Sequence, residues 1–157
     1  MSRRKGALAL TAMVISGGLV ALGCGSDSDT TTVAETAAGG GASKALSIDM
    51  GDYFYRPEAA TAKAGSVTIT AKNIGKLPHE LVLARTNAAP DALPTLPDGS
   101  VDEEELEKQD RAPGEIPETE VGKTGKLTVD LPADNYVMYC NIPGHYAAGM
   151  YGSLTVK

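Results

Sequence analysis

Apolar side chains recur at every second position through much of residues 44–157. Leu46, Ile48 and Met50 alternate with polar neighbours in ALSIDM, and Val67, Ile69 and Ala71 do so in SVTITA. The same period places His79, Leu81 and Leu83 on one face of HELVL, and Leu127, Val129 and Leu131 on one face of KLTVDL. Tyr136, Met138 and Cys140 share a face of NYVMYC, and Leu154 and Val156 share one of SLTV. Successive side chains of an extended chain point to opposite sides, so each run predicts a strand with one buried face. Turn-forming segments separate the runs: Ala64-Gly65-Ser66, Asn73-Ile74-Gly75 and Pro132-Ala133-Asp134-Asn135. Short strands punctuated in this way predict an all-β domain, a Greek-key sandwich or barrel.

One stretch breaks the alternation. Between Thr86 and Thr124 the chain is Pro-rich and acidic, and SVDEEELEKQD within it pairs Ser100 with Glu103 in the spacing of a capping box. Asp102, Glu103 and Glu104 fall in the first turn, where the helix dipole favours anions. The expectation is one short surface helix inside a long loop, solvated on its acidic side and covering one end of the barrel rather than docking a partner. PDGSVDEEE lacks the alternating oxygen ligands of an EF-hand loop.

The N-terminus is of another kind. Arg3, Arg4 and Lys5 precede a mostly apolar run from Ala7 to Leu22, shorter than a membrane span and rich in Gly, Ala and Ser. Residues 1–23 are therefore expected to be an export signal. ALGC, ending at Cys24, resembles the lipobox of bacterial lipoproteins, with Ala21 where Leu is usual, and implies lipidation of Cys24. Gly6 stands where a twin-arginine signal carries an aromatic or Leu, so the export route stays open. Residues 25–43 are small and polar and cannot offset the entropy of ordering, so 24–43 is expected to be a lipidated Cys and flexible linker. This leaves 44–157, enough for one domain, held at the extracytoplasmic side of the cell membrane.

The full chain carries a net charge of −6, and removing residues 1–23 takes away three cations and no anion, leaving −9. Charge attraction to nucleic acid is thereby excluded. With Cys24 assigned to lipid, Cys140 is the one Cys of the domain and has no internal disulfide partner. A free thiol in an oxidising compartment needs burial or ligation.

Ligation is what the surrounding pattern offers. YCNIPGHYAAGMYG spaces Cys140, His145 and Met150 evenly, on two successive tight loops after a strand. The chain's other histidine, His79, opens the strand HELVL. One thiolate, two imidazoles and an axial thioether form the donor set of a blue-copper electron-transfer site. Singly, each residue could be core filler or loop; jointly, they point to one copper ion.

At this point CNIPGHYAAGMYG resembles the C-terminal copper loop of cupredoxins, and its C-x4-H-x4-M spacing is similar to that of auracyanin- and rusticyanin-like bacterial members. Plastocyanins have two residues between the Cys and the His. AGSVTITAKNIGKLPHELVL resembles the family's upstream ligand segment. The resemblance implies a Greek-key cupredoxin domain over 44–157 and the ligands His79, Cys140, His145 and Met150. It also implies electron passage through the edge of His145, amid the mostly apolar or small Leu77, Pro78, Pro143, Tyr146, Ala147 and Ala148. Tyr139, expected to point outward beside Cys140, matches the family's remote surface Tyr and a second electron route. Glu80 departs from the pattern, since many members have Asn or Ser after the first His. An ionised carboxylate there is an acceptor and cannot donate to the sulfur.

No small-molecule substrate and no enzymatic reaction are expected. Multicopper oxidases and copper nitrite reductases need further histidines, and a dinuclear copper-A centre needs a second Cys. Redox proteins are the expected partners. A copper carrier or storage protein is the alternative that these residues leave open.

Overall fold

The computed structural model describes residues 43–157. The signal expected over 1–23, Cys24 and all but the last residue of the linker lie outside the described residues. In chain order the elements are β1 (Ala45–Gly51), β2 (Phe54–Arg56), β3 (Ala59–Ala62), β4 (Gly65–Asn73) and β5 (His79–Arg85). They continue with α1 (Glu103–Lys108), β6 (Gly114–Thr119), β7 (Thr124–Leu131), β8 (Asp134–Tyr139) and β9 (Tyr151–Val156).

The strands form two mixed sheets, one ordered β2-β1-β4-β7 and the other β3-β9-β8-β5-β6. Pairs β1–β4 and β3–β9 are parallel, and the remaining neighbours are antiparallel. The period-two residues meet between the sheets. Ile48, Met50, Val67, Ile69, Ala71, Leu81, Leu83, Leu131, Tyr136, Met138, Cys140, Leu154 and Val156 share one buried cluster, with Leu46, Leu127 and Val129 packed against it. Outward positions of β4 and β7 stay polar, and Thr68 and Thr128 share a hydroxyl–hydroxyl bond of 3.0 Å across them.

The inner strands β5 and β8 of the other sheet are buried on both faces. Val82 and Ala84 of β5 and Val137 and Tyr139 of β8 point away from the main core, yet all are buried. They join Leu93, Val101, Leu106 and Tyr146 in a second cluster. Its cover is the segment 86–113, which lies along the outer face of this sheet instead of capping one end of the barrel. A central strand covered on both sides reads as a continuous apolar run, and LVLA and YVMYC have that character.

Three further expectations change. The helix is capped by Asp102, whose side chain accepts from the Glu105 N–H at 3.1 Å. Ser100, the cap expected from the spacing, turns its hydroxyl to Asp98 at 2.6 Å. Val101 pairs with Thr95 in an isolated bridge and donates its N–H to Asn141, so the helix begins only after it, with Asp102 as the cap. Within the supposed loop, β6 pairs with β5 as an edge strand. Pro117 hid it from the sequence pattern, but an edge tolerates proline. The short β2 and β3, of three and four residues, have too few positions to show a period.

If 86–113 is integral cover and not an appendage, Leu106→Ala should cost about 2–5 kcal/mol of stability. Denaturant unfolding of the variant measures it; an unchanged midpoint would contradict the packing.

Candidate metal centre

Three segments converge where β5 begins and β8 ends. His79 is the first residue of β5, and Cys140 directly follows β8. The loop 141–150 folds back through two turns. His145 N–H donates to the Ile142 carbonyl at 2.9 Å, and Met150 N–H to that of His145 at 3.0 Å. Cys140 N–H then donates to the Met150 carbonyl at 3.1 Å, which sets the thioether-bearing residue beside the thiol. Gly144 and Gly149 have φ of 82° and 106°, conformations that cost a side-chain-bearing residue strain.

The donor atoms face one another. Cys140 Sγ and His145 Nδ1 are 3.3 Å apart, as are the Nδ1 atoms of His79 and His145. One donor from each of the three residues lies within 4.8 Å of the others. His79, Cys140 and Met150 are fully buried, and His145 is 8% exposed. Burial pushes the Cys140 thiol up to about 11, opposed in part by the backbone amides of Glu80 and Ile142 directed at the sulfur. Burial, then the neighbouring His79, lowers His145 below its ordinary value. This pocket favours neither a bare thiolate nor an imidazolium. A bound cation supplies the missing charge, and a thiolate, two imidazoles and a thioether suit copper.

The residues around the ligands were only partly legible from sequence. Glu80 is half-buried, and its carboxylate accepts from the Asn141 N–H at 2.7 Å, tying β5 to the ligand loop. Burial raises its carboxyl above the usual range. A carboxylate therefore joins the two ligand segments as an acceptor. Asn141 clamps both backbone groups of Val101, bonding the 86–113 cover to the ligand loop. Buried Asn73 donates to the Leu77 and Thr119 carbonyls, each at 2.8 Å, and accepts from Gly75, which sets the turn before His79. Asp52 touches His79, its Oδ1 3.1 Å from Nε2, and its carboxyl is held below the usual range chiefly by the Lys76 amide. Asp52, Asn73 and Asn141 carried no ligand-like spacing that could have marked them.

The residues expected around the His145 edge differ in their exposure. Leu77, Pro143, Ala147 and Ala148 are exposed and Pro78 is half-buried. Tyr146 is a correction: it is buried, and its hydroxyl accepts from Leu93 N–H and donates to the Pro90 carbonyl. Tyr139 is another, since it turns away from the main core but lies buried beneath the cover, its hydroxyl 3.3 Å from Glu103 Oε1. The loop that hides both follows no simple period, so their burial was not readable. Exposed Tyr53, which the sequence did not single out, sets its ring edge-on to His145 at 5.3 Å.

A two-sheet β-fold with these four residues at one end is a cupredoxin with a type 1 copper site. Residues 42–157 match the copper binding proteins of the plastocyanin/azurin family, and the chain belongs to that family. It is 30% identical over 141 residues to the copper-resistant cuproprotein CopI of Pseudomonas aeruginosa, covering 74% of this chain and 77% of that one. Dithionite-reduced auracyanin from the photosynthetic bacterium Roseiflexus castenholzii is similar with a TM-score of 0.61 and 26% identity, over 74% of this chain and 99% of that one. Auracyanin A of Chloroflexus aurantiacus shares the fold with a TM-score of 0.52 and 24% identity, over 72% and 99% of the two chains.

The thiolate contributes most of the covalency of such a site and the axial thioether little. Cys140→Ser should therefore abolish the intense visible absorption of the Cu(II) form. Met150→Leu should keep copper and colour and shift the midpoint potential. Equal loss of colour in both would invert this ligand order.

Proposed function

We propose that the protein carries single electrons on one copper ion, tethered by a lipid at the extracytoplasmic face of the cell membrane. The observation that carries this reading is the burial of the donor set: His79, Cys140 and Met150 have no exposure, and His145 alone reaches the surface. Copper held there supplies reversible one-electron exchange. The protein's part is to hold the donors by hydrogen bonds that do not involve the metal, so that little needs to rearrange. Exposed Leu77, Pro143, Ala147 and Ala148 lie on the two chain segments that carry His79 and His145, and their small or apolar side chains suit brief docking of a redox protein. The likeness to an auracyanin reduced by dithionite supports the same reading. On this reading the protein acts as a carrier rather than as an enzyme.

A second reading, copper carriage or storage, is favoured by the likeness to CopI, whose name associates it with copper resistance. Handing copper on requires incoming donors to reach the buried Cys140, which the enclosed site opposes. Electron self-exchange measured by NMR line broadening, against copper loss to a chelator, separates the two. Electron transfer expects rapid self-exchange and copper retained for hours; slow self-exchange with rapid copper loss would favour delivery.

The tether rests on Cys24 and on the small, polar composition of the segment after it. One acyl chain anchors marginally, whereas a diacylglyceryl group gives stable attachment. Wild-type protein should sediment with membranes, and Cys24→Ala should be released with copper binding intact. A processed variant that still sediments fully would remove Cys24 as the anchor.

A further inference from the structure

Asp52 belongs to none of the ligand segments; it lies in the turn between β1 and β2. Its Oδ1 is 3.1 Å from His79 Nε2 and also accepts the N–H groups of Lys76 at 2.8 Å and Leu77 at 3.3 Å. An ionised carboxylate only accepts, so of the two neutral tautomers the contact selects the one with its proton on Nε2, which leaves Nδ1 bare. That bare Nδ1 is the atom facing His145 Nδ1 across the donor cluster, at 3.3 Å.

Two features of the backbone accompany this contact. A Cβ at Gly75 would collide with Asp52 Oδ1 and stand 2.8 Å from His79 Nε2, so glycine here provides the space the pair occupies. The next residue of the turn, Tyr53, has a φ of 68°. Bulky residues rarely adopt that conformation, and such strain gathers at functional sites. In this conformation the Tyr53 ring meets His145 edge-on at 5.3 Å. One short turn thus touches both imidazoles.

We propose that this turn is a positioning element of the copper centre, in which Asp52 fixes His79 as the Nε2–H tautomer, presents Nδ1 to the metal and biases the site toward Cu(II). A carboxylate on the far nitrogen raises the basicity of a ligating imidazole. Its negative charge stabilises the more highly charged oxidation state. The inference requires copper binding, and it holds under either reading of the physiological role.

The test uses the full chain carrying Asp52→Asn, which removes the charge and keeps an acceptor, Asp52→Ala, which removes both, and Gly75→Ala, which displaces the carboxylate. Competition titrations give the Cu(II) and Cu(I) affinities, voltammetry the midpoint, and nitrogen NMR of the copper-free protein the His79 tautomer. Asp52→Ala should lose about 10–100-fold in Cu(II) affinity, the usual effect of removing such a partner. Cu(I) affinity should fall less, and the midpoint should rise by about 59 mV for each tenfold change in the ratio. Copper-free Asp52→Ala should show mixed His79 tautomers, and Gly75→Ala should follow it. Asp52→Asn should raise the midpoint by less and keep the tautomer; it decides the matter if Asp52→Ala does not fold. An unchanged midpoint and affinity ratio in Asp52→Asn and every folded companion would overturn the proposal. An equal fall in both affinities would do so too, leaving only a structural role.

Discussion

A thiol and two imidazoles are packed against one another at the end of an apolar core, where burial disfavours the thiolate of Cys140 and the imidazolium of His145. The rest of the structure follows from that constraint. Burial of Cys140 disfavours the thiolate that ligation requires, and His79 and His145 crowd each other at their Nδ1 atoms. Such a cluster persists only if the backbone holds it. The bonds from Cys140 to Met150 and from Met150 to His145 close the ligand loop on itself, and Glu80 bonds that loop to the strand bearing His79. The metal then supplies the positive charge that the pocket lacks.

The acidic 86–113 segment takes part in the same arrangement. It buries Leu93, Val101 and Leu106 on the outer face of the five-stranded sheet, giving that sheet a second apolar layer. It reaches the ligand loop twice, through the Asn141 side chain on Val101 and the Tyr146 hydroxyl between Leu93 and Pro90. Packing thus links sheet, cover and ligand loop. The cover also closes over Tyr139, so the residue next to the thiolate ligand is enclosed in protein and is not a surface contact.

Polar groups enter the buried regions only where each finds a partner. Among the described residues, no buried side-chain nitrogen or oxygen lacks a hydrogen bond. Asn73 spends its amide on two carbonyls and one N–H, turning the chain sharply into His79. Leaving such groups unpaired would cost about 1–3 kcal/mol each, so these bonds specify one loop geometry as well as stabilising it.

The alternation of apolar residues by itself determined which face of β1, β4, β5, β7, β8 and β9 enters the core, because side-chain direction along a strand is a local property. The residue types and spacing of Cys140, His145 and Met150, with His79 as the other histidine, likewise determined the copper donors, since ligand chemistry resides in the side chains themselves. Tertiary structure alone decided what depends on distant segments meeting. Asp102 replaced Ser100 as the cap because Val101 is held by Thr95 and by Asn141 of the ligand loop. Tyr139 and Tyr146 became buried because a loop with no period lies over them. Glu80 acquired a bonding partner 61 residues away, and Asp52 reached His79 across 27, through contacts that leave no mark in local sequence. A strand's period records which side faces inward; only the folded chain determines what it finds there.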